Sequence, residues 1–162
     1  MRSIIVDTGP LVALFHARDE HHEAAKAVLE SNPAALVSTW PVVTEACHFL
    51  GRDGRRALLT FIRRGALRLD ALSVEDVPGL EVLLERNERM DFADATLVMI
   101  AEKTGITEIF TIDRRDFEAY RMRSGRRFRL LMAERFPPAP LAPRAGIRVL
   151  RPSTPKLAAK TP

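Results

Sequence analysis

The segment SIIVDTGPLVALFHA, residues 3–17, passes from strand to helix within a few residues. Ile4, Ile5 and Val6 form a short apolar run that reads as a strand buried on both faces, ending at Asp7. Thr8-Gly9-Pro10 breaks it, and Pro10 suits the first turn of a helix continuing through LVALFHA. Working outward, the same alternation recurs. His21, His22 and Glu23 open a helical pattern that stops before Pro33, AALVST is a second strand, and Pro41 starts the helix PVVTEACHFL, closed by Gly51. Residues 54–64 read as a helix stopped by Gly65, and ALRLDAL as another short strand. Ser73 with Asp76 caps SVEDVPGLEVLLERNERM, which has helical periodicity after Pro78-Gly79. MDFADATLVMIAEKTG (90–105) is the next helix, ITEIFTID a strand ending at Asp113, and FRLLMA (128–133) a last strand. Parallel strands need crossover connections, so this order predicts an α/β fold, a three-layer sandwich with a mainly parallel central sheet. Ligands in such sheets bind beyond the carboxyl ends of the strands, where Asp7 and Asp113 are expected to stand.

With 162 residues, 46% hydrophobic and 28% charged, the chain has ordinary globular composition and room for one sizeable core. No apolar run reaches membrane-spanning length, and MRSIIVD has only three consecutive apolar residues before a charge, so neither a leader nor an anchor is expected and the expected location is cytoplasmic. The single cysteine, Cys47, lies among apolar neighbours and reads as a buried structural thiol. Charge is segregated: residues 1–113 carry 12 basic and 18 acidic side chains, 114–136 carry 8 and 3, and 137–162 carry 5 and none. An acidic body beside a basic end suits a protein that holds both cations and a polyanion. The Pro- and Ala-rich segment 137–162 is expected to be a flexible tail on a domain spanning 1–136.

Asp91 and Asp94 pose a separate question, because they open a helix that is apolar on almost every side. Buried carboxylates are costly unless something pairs with them. Both could serve as first-turn caps, where acids complement the helix dipole. Asp7 after a strand, Glu45 at the margin of the stripe Val42, Ala46, Phe49 and Leu50, Asp94 at a helix start and Asp113 after a strand make four acids on different elements. They can converge only if something neutralises their repulsion, which hard divalent cations bound by oxygens do.

IIVDTGPLVALFHARDEHHEAA, VVTEACHFLG, DFADATLVMIAEKTG and IFTIDRRDF, in that order, resemble the successive motifs of PIN-domain ribonucleases, especially VapC-like toxins of bacterial toxin–antitoxin pairs. The resemblance covers about residues 3–133 and implies the sandwich fold. It also implies hydrolysis of RNA phosphodiester bonds with Mg²⁺ or Mn²⁺, leaving a 5′-phosphate. Asp7, Glu45, Asp94 and Asp113 are implied as catalytic acids, with Asp7, Asp94 and Asp113 on the metal. Asp91 and Asp116 match accessory acids, and Thr8 and Thr111 match hydroxyls that orient a ligand or water. Arg114 and Arg115 follow the last acid directly and are expected to meet RNA phosphates. His21 and His22 match a run common in the family, but their place at a helix start fits capping or packing. The implied partners are RNA, an antitoxin protein and a second copy in a homodimer.

Two other readings stay open. A catalytically silent, RNA-binding or regulatory PIN-like module would share the fold, since fold does not fix function. A haloacid-dehalogenase-type phosphohydrolase also begins with a strand and an Asp, but it places a second acid two residues later, where this chain has Gly9.

Overall fold

The computed structural model describes residues 2–131. Its strands are β1 Ser3–Val6, β2 Ala35–Ser38, β3 Leu67–Leu69, β4 Glu108–Phe110 and β5 Arg129–Leu130. They form one sheet in the order β3-β2-β1-β4-β5, with every pairing parallel. The helices are α1 Thr8–Phe15, α2 His22–Ser31, α3 Trp40–Phe49, α4 Arg52–Arg63, α5 Val77–Arg86, α6 Phe92–Thr104 and α7 Arg114–Ala119, with a 3₁₀ turn over Val74–Asp76. They flank the sheet, giving the expected α/β sandwich.

The central strands carry apolar side chains on both faces because both are covered: Ile4, Ile5, Val6, Val37, Ile109 and Phe110 are all buried. In register, Ile5 lies opposite Ile109 and Val6 opposite Phe110. Residues 95–101, Ala95-Thr96-Leu97-Val98-Met99-Ile100-Ala101, are buried without exception, which explains why α6 lacks a polar face. Its end is set by Gly105 at φ 75°, a left-handed cap whose N–H bonds the Ala101 carbonyl at 2.9 Å.

The chain runs from β1 to β2 to β3 on one side and then returns to β4 on the other side of β1. The carboxyl ends of β1 and β4 therefore flank the point where strand order reverses, the place where such sheets open a crevice.

Several boundaries differ from the sequence expectation. The fourth strand stops at Phe110 instead of reaching Asp113. Thr111 Oγ1 accepts the Asp113 N–H at 2.9 Å, and Asp113 Oδ1 accepts the Asp116 N–H at 3.0 Å, so side chains draw the backbone out of the sheet and start α7. Helix α4 starts at Arg52, before Gly54. Phe49 is 62% exposed, and the buried stripe of α3 consists of Val42, Val43 and Ala46, with Leu50 just after the helix. Cys47 is only half-buried. Of the expected strand at 128–133, Arg129–Leu130 is strand; residues 132–162, with the expected domain boundary and tail, lie outside the described residues.

Candidate active site

Asp7 follows β1 directly and caps α1. It is 7% exposed, and both carboxylate oxygens are held: Oδ1 accepts the Thr8 N–H at 2.6 Å and Oδ2 accepts the Thr111 hydroxyl at 2.7 Å. Thr111 sits just past β4, so its hydroxyl ties the two central strand ends together and, by also receiving the Asp113 N–H, links Asp7 to the start of α7. The Thr8 hydroxyl donates to Glu45 Oε2 at 2.7 Å, bringing in the half-buried acid of α3.

The two acids at the head of α6 divide their roles. Asp91 is the N-cap, its Oδ1 accepting the Asp94 N–H at 2.8 Å. Asp94 caps nothing; its Oδ2 accepts the Tyr120 hydroxyl at 2.9 Å. Capping thus accounts for Asp91 and leaves Asp94 to be explained by the site.

Burial is the main cause that pushes Asp7 up to about 6, with repulsion from Glu45 and Asp91 adding to it against the hydrogen bonds from Thr111 and Thr8. Asp94 is pushed up to about 7, again chiefly by burial, with Asp7, Asp91 and Asp113 repelling it and Tyr120 opposing. Tyr120 is raised as well, by its burial and by the Asp94 carboxylate. Asp7, Glu45, Asp91, Asp94 and Asp113 therefore share one electrostatic neighbourhood. Among the described residues, none of the five forms an ion pair with Lys, Arg or His. An all-carboxylate donor set without a protein cation is the chemistry that a hard divalent ion fits. As placed, no three His, Cys, Asp or Glu side chains among the described residues are grouped to hold one ion, so the acids face a common region without closing on a point.

The remaining expected residues take distinct places. Asp116 pairs with Arg89 at 2.9 Å while its N–H serves Asp113, so it braces α7. Arg114 is exposed and pairs with Glu118 at 2.7 Å; Arg115 is exposed beside it. His22 Nδ1 bonds the Ala13 carbonyl at 2.7 Å and so docks α2 on α1. Tyr120 is a contact that the sequence does not signal, because a tyrosine after a short polar helix carries no motif. At Gly9 a Cβ would collide with the Ile112 side chain, between Thr111 and Asp113. A cleft of about 500 Å³ lies elsewhere, at the far end of α6, and its Lys103–Asp76 and Arg123–Glu102 pairs satisfy one another.

A central parallel sheet with clustered acids beyond its switch point is the arrangement expected of a PIN-like fold, and a model of the PIN domain matches residues 4–122. The chain belongs to the PIN domain family. Among its relatives, ribonuclease VapC26 of Mycobacterium tuberculosis is 32% identical over 135 residues, covering 79% of this chain and 99% of that protein. The crystal structure of Mycobacterium tuberculosis VapC20, a sarcin–ricin loop cleaving toxin, matches with a TM-score of 0.60 and 29% identity, covering 69% of this chain and 91% of that one.

Proposed function

We propose that this chain is a VapC-like endoribonuclease that hydrolyses RNA phosphodiester bonds with Mg²⁺ or Mn²⁺, and that it is the toxin of a toxin–antitoxin pair. The observation that carries the reading is the set of five neighbouring carboxylates, two of them pushed up to about 6 and 7, with no cation partner among the described residues. Asp7, Asp94 and Asp113 are the residues that would hold the ion. When bound, it supplies a water of lowered pKa and shields the phosphate.

The chain's own groups prepare that region. Thr111 and the Thr8 N–H fix Asp7 from two sides, and Thr8 steadies Glu45 through Oε2, leaving Oε1 to orient the attacking water. Asp91 serves as an accessory acid by capping α6, and Asp116 by bracing α7 through Arg89. Arg114 and Arg115 offer charge to an RNA phosphate from the first turn of α7.

A silent PIN-like module is disfavoured because it has no need to keep the buried Asp7 and the half-buried Asp94 repelling each other, which costs stability. The haloacid-dehalogenase reading is disfavoured at Gly9, where any side chain would meet Ile112. An antitoxin is part of the proposal through the likeness to a VapC toxin, and a homodimeric state through the prevalence of two-fold oligomers. A cytoplasmic location is part of it too, and among the described residues no helix is long and apolar enough to cross a membrane.

The test is a ribonuclease assay with and without Mn²⁺ on a short unstructured RNA and on a sarcin–ricin-type stem-loop, the latter chosen because VapC20 is a toxin that cleaves that loop. Metal-dependent cutting by the intact chain, lost in Asp94→Asn, is expected. Metal-independent cutting, or none on any RNA, contradicts the reading.

A further inference from the structure

Tyr120 is the only tyrosine of the chain and is 2% exposed. Its ring packs edge-on against Phe117 with centroids 5.3 Å apart, and Phe117 packs in the same way against Phe128 at 5.6 Å. A phenol held this way has little rotational freedom and needs a partner for its hydroxyl. That partner is Asp94 Oδ2, at 2.9 Å. Tyr120 is also the C-cap of α7, whose N-cap is Asp113, and Arg89 holds the same helix through Asp116 at 2.9 Å. One short helix thus carries an acid of the proposed site at its start and the contact to another at its end.

We infer that Tyr120 is a positioning residue for the proposed metal site, fixing the rotation of the Asp94 carboxylate through Oδ2 and leaving Oδ1 as its free oxygen. Through α7 it also holds Asp94 in a fixed relation to Asp113. The inference rests on the metal-dependent nuclease reading. Its physical basis is that a carboxylate free to swing must be ordered each time it binds, whereas one already held by a buried donor need not be. Outer hydrogen-bond partners of metal ligands typically matter by about 10- to 100-fold in metal affinity or activity.

The experiment uses the full chain and compares wild type, Tyr120→Phe, Phe117→Leu and Asp94→Asn. Calorimetric titration with Mn²⁺ at neutral pH, single-turnover cleavage of RNA and thermal melting are measured on each. Tyr120→Phe keeps the ring and removes only the hydroxyl. Expected are a loss of Mn²⁺ affinity of about tenfold or more, cleavage largely restored by raising Mn²⁺, and an unchanged KM for RNA. Phe117→Leu disturbs the same packing without touching the hydroxyl and is expected to lower the melting temperature while leaving Mn²⁺ affinity near wild type. Wild-type Mn²⁺ binding by Tyr120→Phe, with binding lost in Asp94→Asn, overturns the positioning role and leaves the nuclease reading standing. Equal weakening of Mn²⁺ binding in Tyr120→Phe and Phe117→Leu also overturns it, because the effect is then one of packing. Wild-type binding and cleavage by Asp94→Asn remove the metal-site reading and this inference with it.

Discussion

The two ends of α6 treat their acids in opposite ways. At the far end Glu102 meets Arg123 and Lys103 meets Asp76, both at 2.9 Å, and Gly105 closes the helix. At the rim end Asp91 and Asp94 face Asp7 and Asp113 with no basic side chain paired to any of them among the described residues. Ordinary surface chemistry explains the first arrangement, since opposite charges within reach pair with one another. The second leaves like charges facing one another, a cost that protonation relieves at low pH and that a bound cation would relieve at neutral pH, so on the proposed reading the contrast sets acids that pair within the fold against acids kept for a cation.

The sharpest way to break this comparison is to neutralise one acid at each end. Asp94→Asn is expected to lower cleavage by several orders of magnitude while the metal-free protein stays folded or gains stability, because a repelling charge has gone. Glu102→Gln is expected to leave cleavage per folded molecule unchanged. Single-turnover assays and melting curves on the same preparations compare the two.

Acidity is the next lever. With folded values of about 6 for Asp7 and about 7 for Asp94, each lies above its ordinary value of 3.8. The folded state therefore binds more protons than the unfolded state between those limits, so the metal-free protein loses stability as pH rises from about 4 to about 7 and then levels off. The Asp7 share is on the order of 3 kcal/mol. Denaturant unfolding in EDTA at pH 5 and pH 8 checks it: greater stability at pH 5 is expected, with a smaller difference in Asp7→Asn.

Metal should undo that cost. Saturation at about 100 times the dissociation constant adds about 2.7 kcal/mol by mass action, which raises the melting temperature above that in EDTA. The smallest effect belongs to the paired end, where Glu102→Gln weakens a half-buried pair with an exposed arginine and is expected to cost on the order of 1 kcal/mol, with no dependence on Mn²⁺.

The fold that sets up this contrast was legible in the sequence, for identifiable reasons, whereas the pairs at the far end of α6 were not. The apolar run Ile4-Ile5-Val6 and the proline at position 10 mark a strand entering a helix whatever lies around them, and the repeated alternation leaves few alternatives to a parallel sheet. The order of the acids along the chain is plain in the sequence, but which of them caps a helix is not. Whether Asp91 or Asp94 caps α6 depends on which side chain reaches the Asp94 N–H, and spacing alone does not decide that. The end of β4 lies earlier than expected because Ile109 to Ile112 is made of strand-forming residues, while the Thr111 and Asp113 side chains compete for the backbone. Tyr120 was invisible for a different reason: its contact with Asp94 spans 26 residues, and no local pattern encodes it.

The most direct test of the central claim is a calorimetric titration of the intact chain with Mn²⁺ at neutral pH, beside Asp94→Asn and Glu102→Gln. If the rim acids form a cation site, wild type and Glu102→Gln bind Mn²⁺ alike and Asp94→Asn binds it far more weakly. If wild type binds no Mn²⁺, or Asp94→Asn binds it as wild type does, the rim acids are not a metal site and the contrast between the two ends of α6 has another cause.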